Sequence, residues 1–376
     1  MRARTLSLDR PPQSHVEEIM RRQRASLAWQ PVDRLPLGIW INRPENRADL
    51  VFEDILDYRT FFTLQERILS DTLAVGSDIV PALAINNFGD GILPSMFGAD
   101  LIVPRPDIDV IQDLGPWVVP LLKSRSDMAA LRKPPLDGGL FPTACDAVRY
   151  YRDRAPDWLP IVTPMRLGPL SVAMLLRGEA FYTDLYEHPG ELHHVLQVCT
   201  ETFIETEQHL FALAGMSLKD TITNFGVSLE GALRVGEDCI INLRPEFIEE
   251  FVVPYYAQIG RAFGGRVLLH FCSMPHTPGG HVVEVLRRHP DVFSGVSTQL
   301  GVQHYLAQQD GLRGILGVEA GYGVGISSYR VEYGSFAAWA EHLARRAPLR
   351  TGLVLYTEVR TLEEAQTMWQ DWLAAS

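Results

Sequence analysis

Apolar residues along this chain fall into short blocks separated by longer stretches of helical spacing. Eight runs rich in Val, Ile and Leu read as strands: Leu37–Ile41, Asp78–Leu83, Leu159–Thr163, Asp220–Asn224, Arg266–Phe271, Val292–Ser297, Arg313–Val318 and Gly352–Tyr356. They are short and apolar, as strands buried on both faces are. Between them, Tyr58–Val75, Ala144–Arg154, Pro189–Ala214, Pro245–Phe263, Gly280–Arg288, Gly334–Arg346 and Thr361–Ala374 carry apolar residues at helical spacing. Pro245 suits a first helical turn, where a backbone N–H is unpaired anyway. Ahead of the first strand, His15–Trp29 sets Val16, Ile19, Met20 and Leu27 among charges, which predicts an amphipathic helix.

Alternating strands and helices imply a parallel sheet. Eight strands without a composition break predict an α/β fold, a single (β/α)8 TIM barrel over residues 31–376. Residues 1–30 form an N-terminal arm and helix. The interval 84–158 is too long for one crossover, and its Pro and Gly clusters (FGDGILPSMFGADLIVPRPD, KPPLDGG) mark an elaborated excursion after strand 2.

Composition narrows the function. Of 376 residues, 34 are basic and 46 acidic, a formal charge of −12, so no net basic footprint for nucleic acid exists. The lysines are Lys123, Lys133 and Lys219, and no GK[ST] phosphate loop occurs. HExxH and GxSxG are absent as well. Cys145, Cys199, Cys239 and Cys272 lie far apart without a CxxC, which predicts a reduced, cytoplasmic protein. The N-terminus has no apolar core of a signal peptide, and no run of 18 apolar residues predicts a membrane span.

In a barrel, chemistry sits where the strands end. The residues just past the predicted strands are Asn42 and Arg43, Asn86 and Asn87, Met165 and Arg166, Asn224, His270 and Cys272, Thr298 and Gln299, Glu319, and Thr357 and Glu358. The sharpest element is His270-Phe271-Cys272. Residues i and i+2 of a strand share a face, so imidazole and thiolate project together as half of a zinc site. A buried cysteine and a satisfied core histidine are the plainer alternative. Glu319 and Glu358 offer oxygen ligands. Arg43, Arg47 and Arg166 suit a carboxylate-bearing ligand through paired hydrogen bonds, or are ordinary surface arginines. The glycines of GVEAGYGVG lack the spacing of a phosphate loop. His188, His193 and His194 read as solvated, and His276, His281 and His304 are not assigned a role. Glu237 and Asp238, an acidic pair in an irregular stretch, read as solvated surface without a partner.

Several longer segments carry a resemblance: PVDRLPLGIW, SMFGADLIVP, LGPLSVAMLLRGEAFYTDLYEHPGELHHVL, RPEFIEEFVVPYYAQIGRAFGGRVLLHFC and LRGILGVEAG. With them, roughly residues 20–370 resemble the uroporphyrinogen decarboxylase superfamily, which includes corrinoid- and thiol-linked methyltransferases. The resemblance implies a (β/α)8 barrel. True decarboxylases of the family carry an RQAGRYLPEY-like loop, whereas this chain has WINRPENRADLVFED. They also place an aspartate after the second strand to hold pyrrole N–H groups. Here Asn86 and Asn87 stand there, with Asp90 slightly later, and neutral Asn supplies no carboxylate charge. In the methyltransferase branch the HxC element binds zinc, and His270 and Cys272 match it. That branch adds a cysteine after the last strand; this chain has GLVLYTEV, with Glu358 nearest the missing ligand.

Three functions follow. The first is a zinc-dependent methyltransferase, with His270 and Cys272 as ligands and Glu358 or Glu319 third. Asn86, Asn87, Arg43 and Arg166 would line its pocket, with Asn224 and Gln299 as further substrate-binding candidates. A methylated corrinoid on a partner protein, or a small methylated compound, would be the donor, and a thiol the acceptor. The second is a metal-free decarboxylase or other lyase, in which Arg43, Arg47 and Arg166 hold carboxylates and Asp90 replaces the family aspartate. The third is a barrel without catalysis that serves as a binding subunit. The expected partner is a small molecule, with a corrinoid protein and a homodimer left open and neither nucleic acid nor membrane expected.

Overall fold

The computed structural model describes residues 6–43, 57–85, 88, 90–102, 117–164, 167–272, 279–298, 310–321, 333–346 and 351–376. In chain order the strands are β1 (Leu37–Ile41), β2 (Leu83–Ala84), β3 (Leu101–Ile102), β4 (Trp117–Val118), β5 (Ile161–Val162), β6 (Thr221–Ile222), β7 (Ser228–Leu229), β8 (Ala232–Gly236), β9 (Arg266–Phe271), β10 (Phe293–Thr298), β11 (Gly317–Gly321) and β12 (Leu353–Val359). The main sheet has six strands in the order β1-β12-β11-β10-β9-β8. Every pairing in it is parallel. β2 and β5 form a separate parallel pair. The architecture is therefore α/β, with the expected parallel sheet.

Long apolar runs formed strands where the pattern placed them: β1 and β9 match residue for residue, and β10 starts one residue late. β11 lies further along than expected, because residues 312–316 turn back on themselves through Ile315 and Leu316 N–H bonds to the Leu312 carbonyl, and β12 runs from Leu353 to Val359, one residue late at its start and three longer at its end. Two expectations need correction. Thr221–Ile222 does not join the parallel sheet but pairs antiparallel with Ser228–Leu229. Gly226, at φ +71°, supplies the left-handed residue in the intervening turn. The parallel strand in that region is β8, whose run ALRVG is interrupted by Arg234. The expected strand at Asp78–Leu83 also shrinks to β2, because Asp78 is occupied otherwise. Its buried carboxylate accepts from Arg22, Arg34 and the Leu37 N–H.

Helices pack around the sheet. Pro189–Ala214 forms as one helix, with Gly215 in the left-handed conformation at its end. The expected helix Pro245–Phe263 breaks at Val252 into Pro245–Phe251 and Val253–Phe263. Pro254 has no N–H to continue the ladder and crowds the preceding turn. Pro169–Arg177 and Ala180–Glu187 are two further helices that the spacing did not reveal.

The N-terminal helix, Gln13–Leu27, is sewn to the sheet end where β11 and β12 begin. Ser26 Oγ donates to the Leu353 carbonyl at 2.8 Å, and Trp29 Nε1 to that of Leu316 at 2.9 Å. Gln23 Nε2 donates to the carbonyls of Asp78 and Gly226 at 2.7 and 3.0 Å. Leu27 packs on a small cluster of Val227, Leu229, Ala232, Leu268 and Val354, separate from the main core. Among the described residues, no helix is long and apolar enough to cross a membrane.

Candidate metal centre

β8 and β9 run parallel with Gly236 opposite His270. β10 sets Ser297 opposite His270 on the other side. Parallel neighbours end on the same sheet edge, so the residues after Gly236 and His270 leave it side by side. Residues 238–242 turn into a short 3-10 helix. That turn brings Asp238 against Cys272, whose N–H donates to Asp238 Oδ1 at 2.8 Å. His270 Nε2 lies 3.8 Å from the same oxygen and 3.7 Å from Cys272 Sγ.

Asp238, His270 and Cys272 thus offer an oxygen, a nitrogen and a sulfur within 4.8 Å of one another. Ligands about 2.0–2.3 Å from a tetrahedral zinc stand about 3.3–3.8 Å apart, so the His270 spacings fit that geometry. The donor types fit as well, since zinc takes imidazole, thiolate and carboxylate.

The imidazole is held from behind. His270 Nδ1 is 3.1 Å from Ser297 Oγ, which leaves Nε2 facing Asp238 and Cys272. Arg234 donates to the same Ser297 oxygen at 3.4 Å. Its guanidinium lies 5.2 Å over the Phe225 ring, and that ring stacks on Tyr356 at 4.0 Å. A hydrogen bond to the second ring nitrogen is the usual way a ligating histidine is oriented.

The other cysteines have a different setting. Cys145, Cys199 and Cys239 are buried, whereas Cys272 is part-exposed. Burial pushes the Cys145 thiol up to about 11 and raises those of Cys199 and Cys239 as well. A thiol held protonated is neither a ligand nor a nucleophile.

Glu237 and Asp238 are not a solvated pair. Glu237 is fully buried. Its Oε1 accepts from the Leu170 N–H at 2.9 Å and from the Tyr256 hydroxyl, and its Oε2 from the Ser171 N–H at 2.6 Å. Burial pushes its carboxyl up to about 7, while the Ser171, Tyr256 and Leu170 hydrogen bonds hold it below what burial alone would give. The histidines of the long helix are also engaged. His193 stacks on Phe251 and meets the Tyr255 hydroxyl at 2.8 Å, and His194 meets the Leu131 carbonyl at 2.9 Å.

The remaining sequence candidates fall elsewhere. Glu358 sits on β12 opposite Trp40, three strands from β9 in the sheet order. Glu319 lies on β11 opposite Ser297, and its side chain is outside the described residues. Arg43 is paired with Asp71 through two bonds of 2.5 and 2.9 Å. Asp90 is exposed, just ahead of the helix Ile92–Met96. Asn224 lines a cavity of about 40 Å³ with Thr163, Glu207, Thr223 and Arg234. Asn86, Asn87, Arg47, Arg166 and Gln299 lie outside the described residues. Asp238 was missed because nothing near it in sequence marks it. Its one signal is position, two residues beyond the short run ALRVG.

Residues 106–278 match the family model of uroporphyrinogen decarboxylase (URO-D). No curated protein sequence matches the chain. Among solved structures, a methyltransferase from Methanosarcina mazei superposes with a TM-score of 0.62 at 14% identity, over 95% of this chain and 97% of that one. At that identity the likeness is one of fold. The matched segment contains the HxC element and the helix Val253–Phe263 that precedes it, and it agrees with the resemblance to the URO-D superfamily read from the sequence.

Proposed function

We propose that this chain is a zinc-dependent methyltransferase that moves a methyl group from a methylated corrinoid, or a small methylated donor, to a thiol. The observation that carries the reading is the convergence of Asp238, His270 and Cys272 at ligand spacing. Asp238 takes the place that the sequence offered to Glu358 or Glu319. We also propose that β2 and β5 complete a (β/α)8 ring with the six-stranded sheet. Two links support this: Asp78 N–H to the Leu37 carbonyl at 2.9 Å, and Gly168 N–H to that of Gly236 at 2.8 Å.

Asp238, His270 and Cys272 would hold zinc, which would supply a Lewis acid that favours loss of a substrate thiol's proton to solvent; the thiolate sulfur would then bond to the methyl carbon as the donor–methyl bond breaks and its electron pair stays with the donor. The chain's own residues prepare the place. Ser297 fixes the imidazole so that Nε2 is presented. The Cys272 N–H holds the Asp238 carboxylate in the same small space. The URO-D match and a methyltransferase of like fold support an enzyme over a non-catalytic subunit. A metal-free lyase draws less support, because the described member of its arginine set, Arg43, already holds Asp71.

Elemental analysis is the test. Wild type should carry about one zinc per chain, and His270→Ala/Cys272→Ala should carry none. Asp238→Ala should bind more weakly than wild type. Wild-type protein that stays metal-free after incubation with Zn²⁺ would end this reading. Methyl transfer from methylcobalamin to small thiols, measured on the zinc-loaded protein, then tests the reaction.

A further inference from the structure

Two links fasten the turn between β8 and the 3-10 helix, and both belong to Glu237. Its N–H donates to the His270 carbonyl at 2.7 Å. Its carboxylate accepts the Leu170 and Ser171 N–H groups, the second and third residues of the helix Pro169–Arg177. Those N–H groups have no partner within their own helix, and the N-terminal end of the dipole favours a negative charge. Tyr256, from the helix Val253–Phe263, donates its hydroxyl to the same carboxylate. The packing is close: a Cβ on Gly168 would overlap both Tyr256 Oη and Glu237 Oε1, so only glycine fits at that helix start.

We propose that Glu237 is a positioning residue for the metal centre, tying the backbone of both Asp238 and His270 to two helix ends so that the ligands stand ready before a metal arrives. The inference rests on the zinc reading above. Asp238 is the next residue along the chain, and half of its side chain is exposed. The Cys272 N–H holds one oxygen of that carboxylate, and Glu237 fixes the backbone from which it projects, without touching the metal. The whole device, from helix end to ligand, spans two adjacent residues.

The test is metal affinity of the full chain, measured with Zn²⁺ against a chelating dye, and the visible spectrum of the Co²⁺ form. Glu237→Gln puts an amide N–H₂ where a helix N–H needs an acceptor. We expect it to weaken Zn²⁺ binding by about 10–100-fold, as loss of an outer partner does, and to change the Co²⁺ ligand-field bands. Tyr256→Phe removes a single hydroxyl and should fold; it should shift both readouts in the same direction by a smaller amount. Met368→Ala, in the C-terminal helix, destabilises the chain remotely and should leave affinity and spectrum alone. Wild-type affinity and spectrum in Tyr256→Phe, or in a folded Glu237→Gln, overturn the inference while leaving the zinc site intact. Failure of the wild type to bind either metal overturns both.

Discussion

Two buried glutamates show two ways of placing a carboxyl inside this molecule. Glu237, beside the candidate metal centre, is 0% exposed and meets three donors. Glu207, on the helix Pro189–Ala214, is 2% exposed and meets one, the Thr163 hydroxyl at 2.6 Å. Its Oε2 has no partner among the described residues. Burial pushes Glu207 up to about 8, opposed only by the Thr163 bond, against about 7 for Glu237. Similar burial with unequal hydrogen bonding thus separates a carboxyl that holds structure from one that is carried at a cost.

Substitution should break that comparison most sharply at Glu237. Glu237→Ala strands two helix N–H groups and a buried hydroxyl, at about 1–3 kcal/mol each, so urea denaturation should show a loss of at least ~3 kcal/mol. Glu207→Gln should act in the opposite sense, by an amount that grows as pH rises from 4.5 to about 8. Its folded pKa of about 8 lies above the 4.5 of a solvated glutamate. The contribution of Glu207 is therefore fully present below pH 4.5 and is lost as pH rises through 8. At pH 9 Glu207→Gln should be more stable than wild type by a few kcal/mol, at 1.36 kcal/mol per unit. Near pH 4.5 the two should agree. Equal slopes of stability against pH in both proteins would refute the assignment.

Thr163→Val sharpens the contrast further. It removes the one donor to Glu207 and should cost about 1 kcal/mol, a loss that shrinks in a Glu207→Leu background when measured as a double-mutant cycle. Arg43→Ala supplies the surface reference. Arg43 and Asp71 are 40% and 24% exposed, so their pair should be worth less than about 1 kcal/mol in the same denaturation assay.

The contrast also marks what a linear sequence can reveal. β9 was legible because Val267, Leu268, Leu269 and Phe271 make its run mostly apolar. The pair His270 and Cys272 was legible because two-residue spacing on a strand fixes a shared face. Asp238 was not, because its place depends on the parallel register of two strands about 30 residues apart, and no local rule encodes that pairing. β8 escaped for a related reason: Arg234 breaks its apolar run, yet the side chain is held by Ser297 and the Phe225 ring. Arg22 likewise reads as a surface charge on an amphipathic helix, but it is 4% exposed and salt-bridged to Asp78. Its partner is fixed by the docking of a helix against a sheet end, which only the fold determines.

The pairing of the first strand with the last has a consequence for how the chain is made. β1 bonds along its whole length to β12. At a synthesis rate of about 5–20 residues per second, β12 leaves the ribosome on the order of 15–60 s after β1. Throughout that time Leu37–Ile41 is a short, apolar strand without the neighbour it is built for. Such an edge is a template for pairing with another nascent chain. The N-terminal helix meets the same delay, since its acceptors at Leu316 and Leu353 also come late. Yield from cells should therefore depend on chaperone supply and growth temperature more steeply than the stability of the finished protein would indicate.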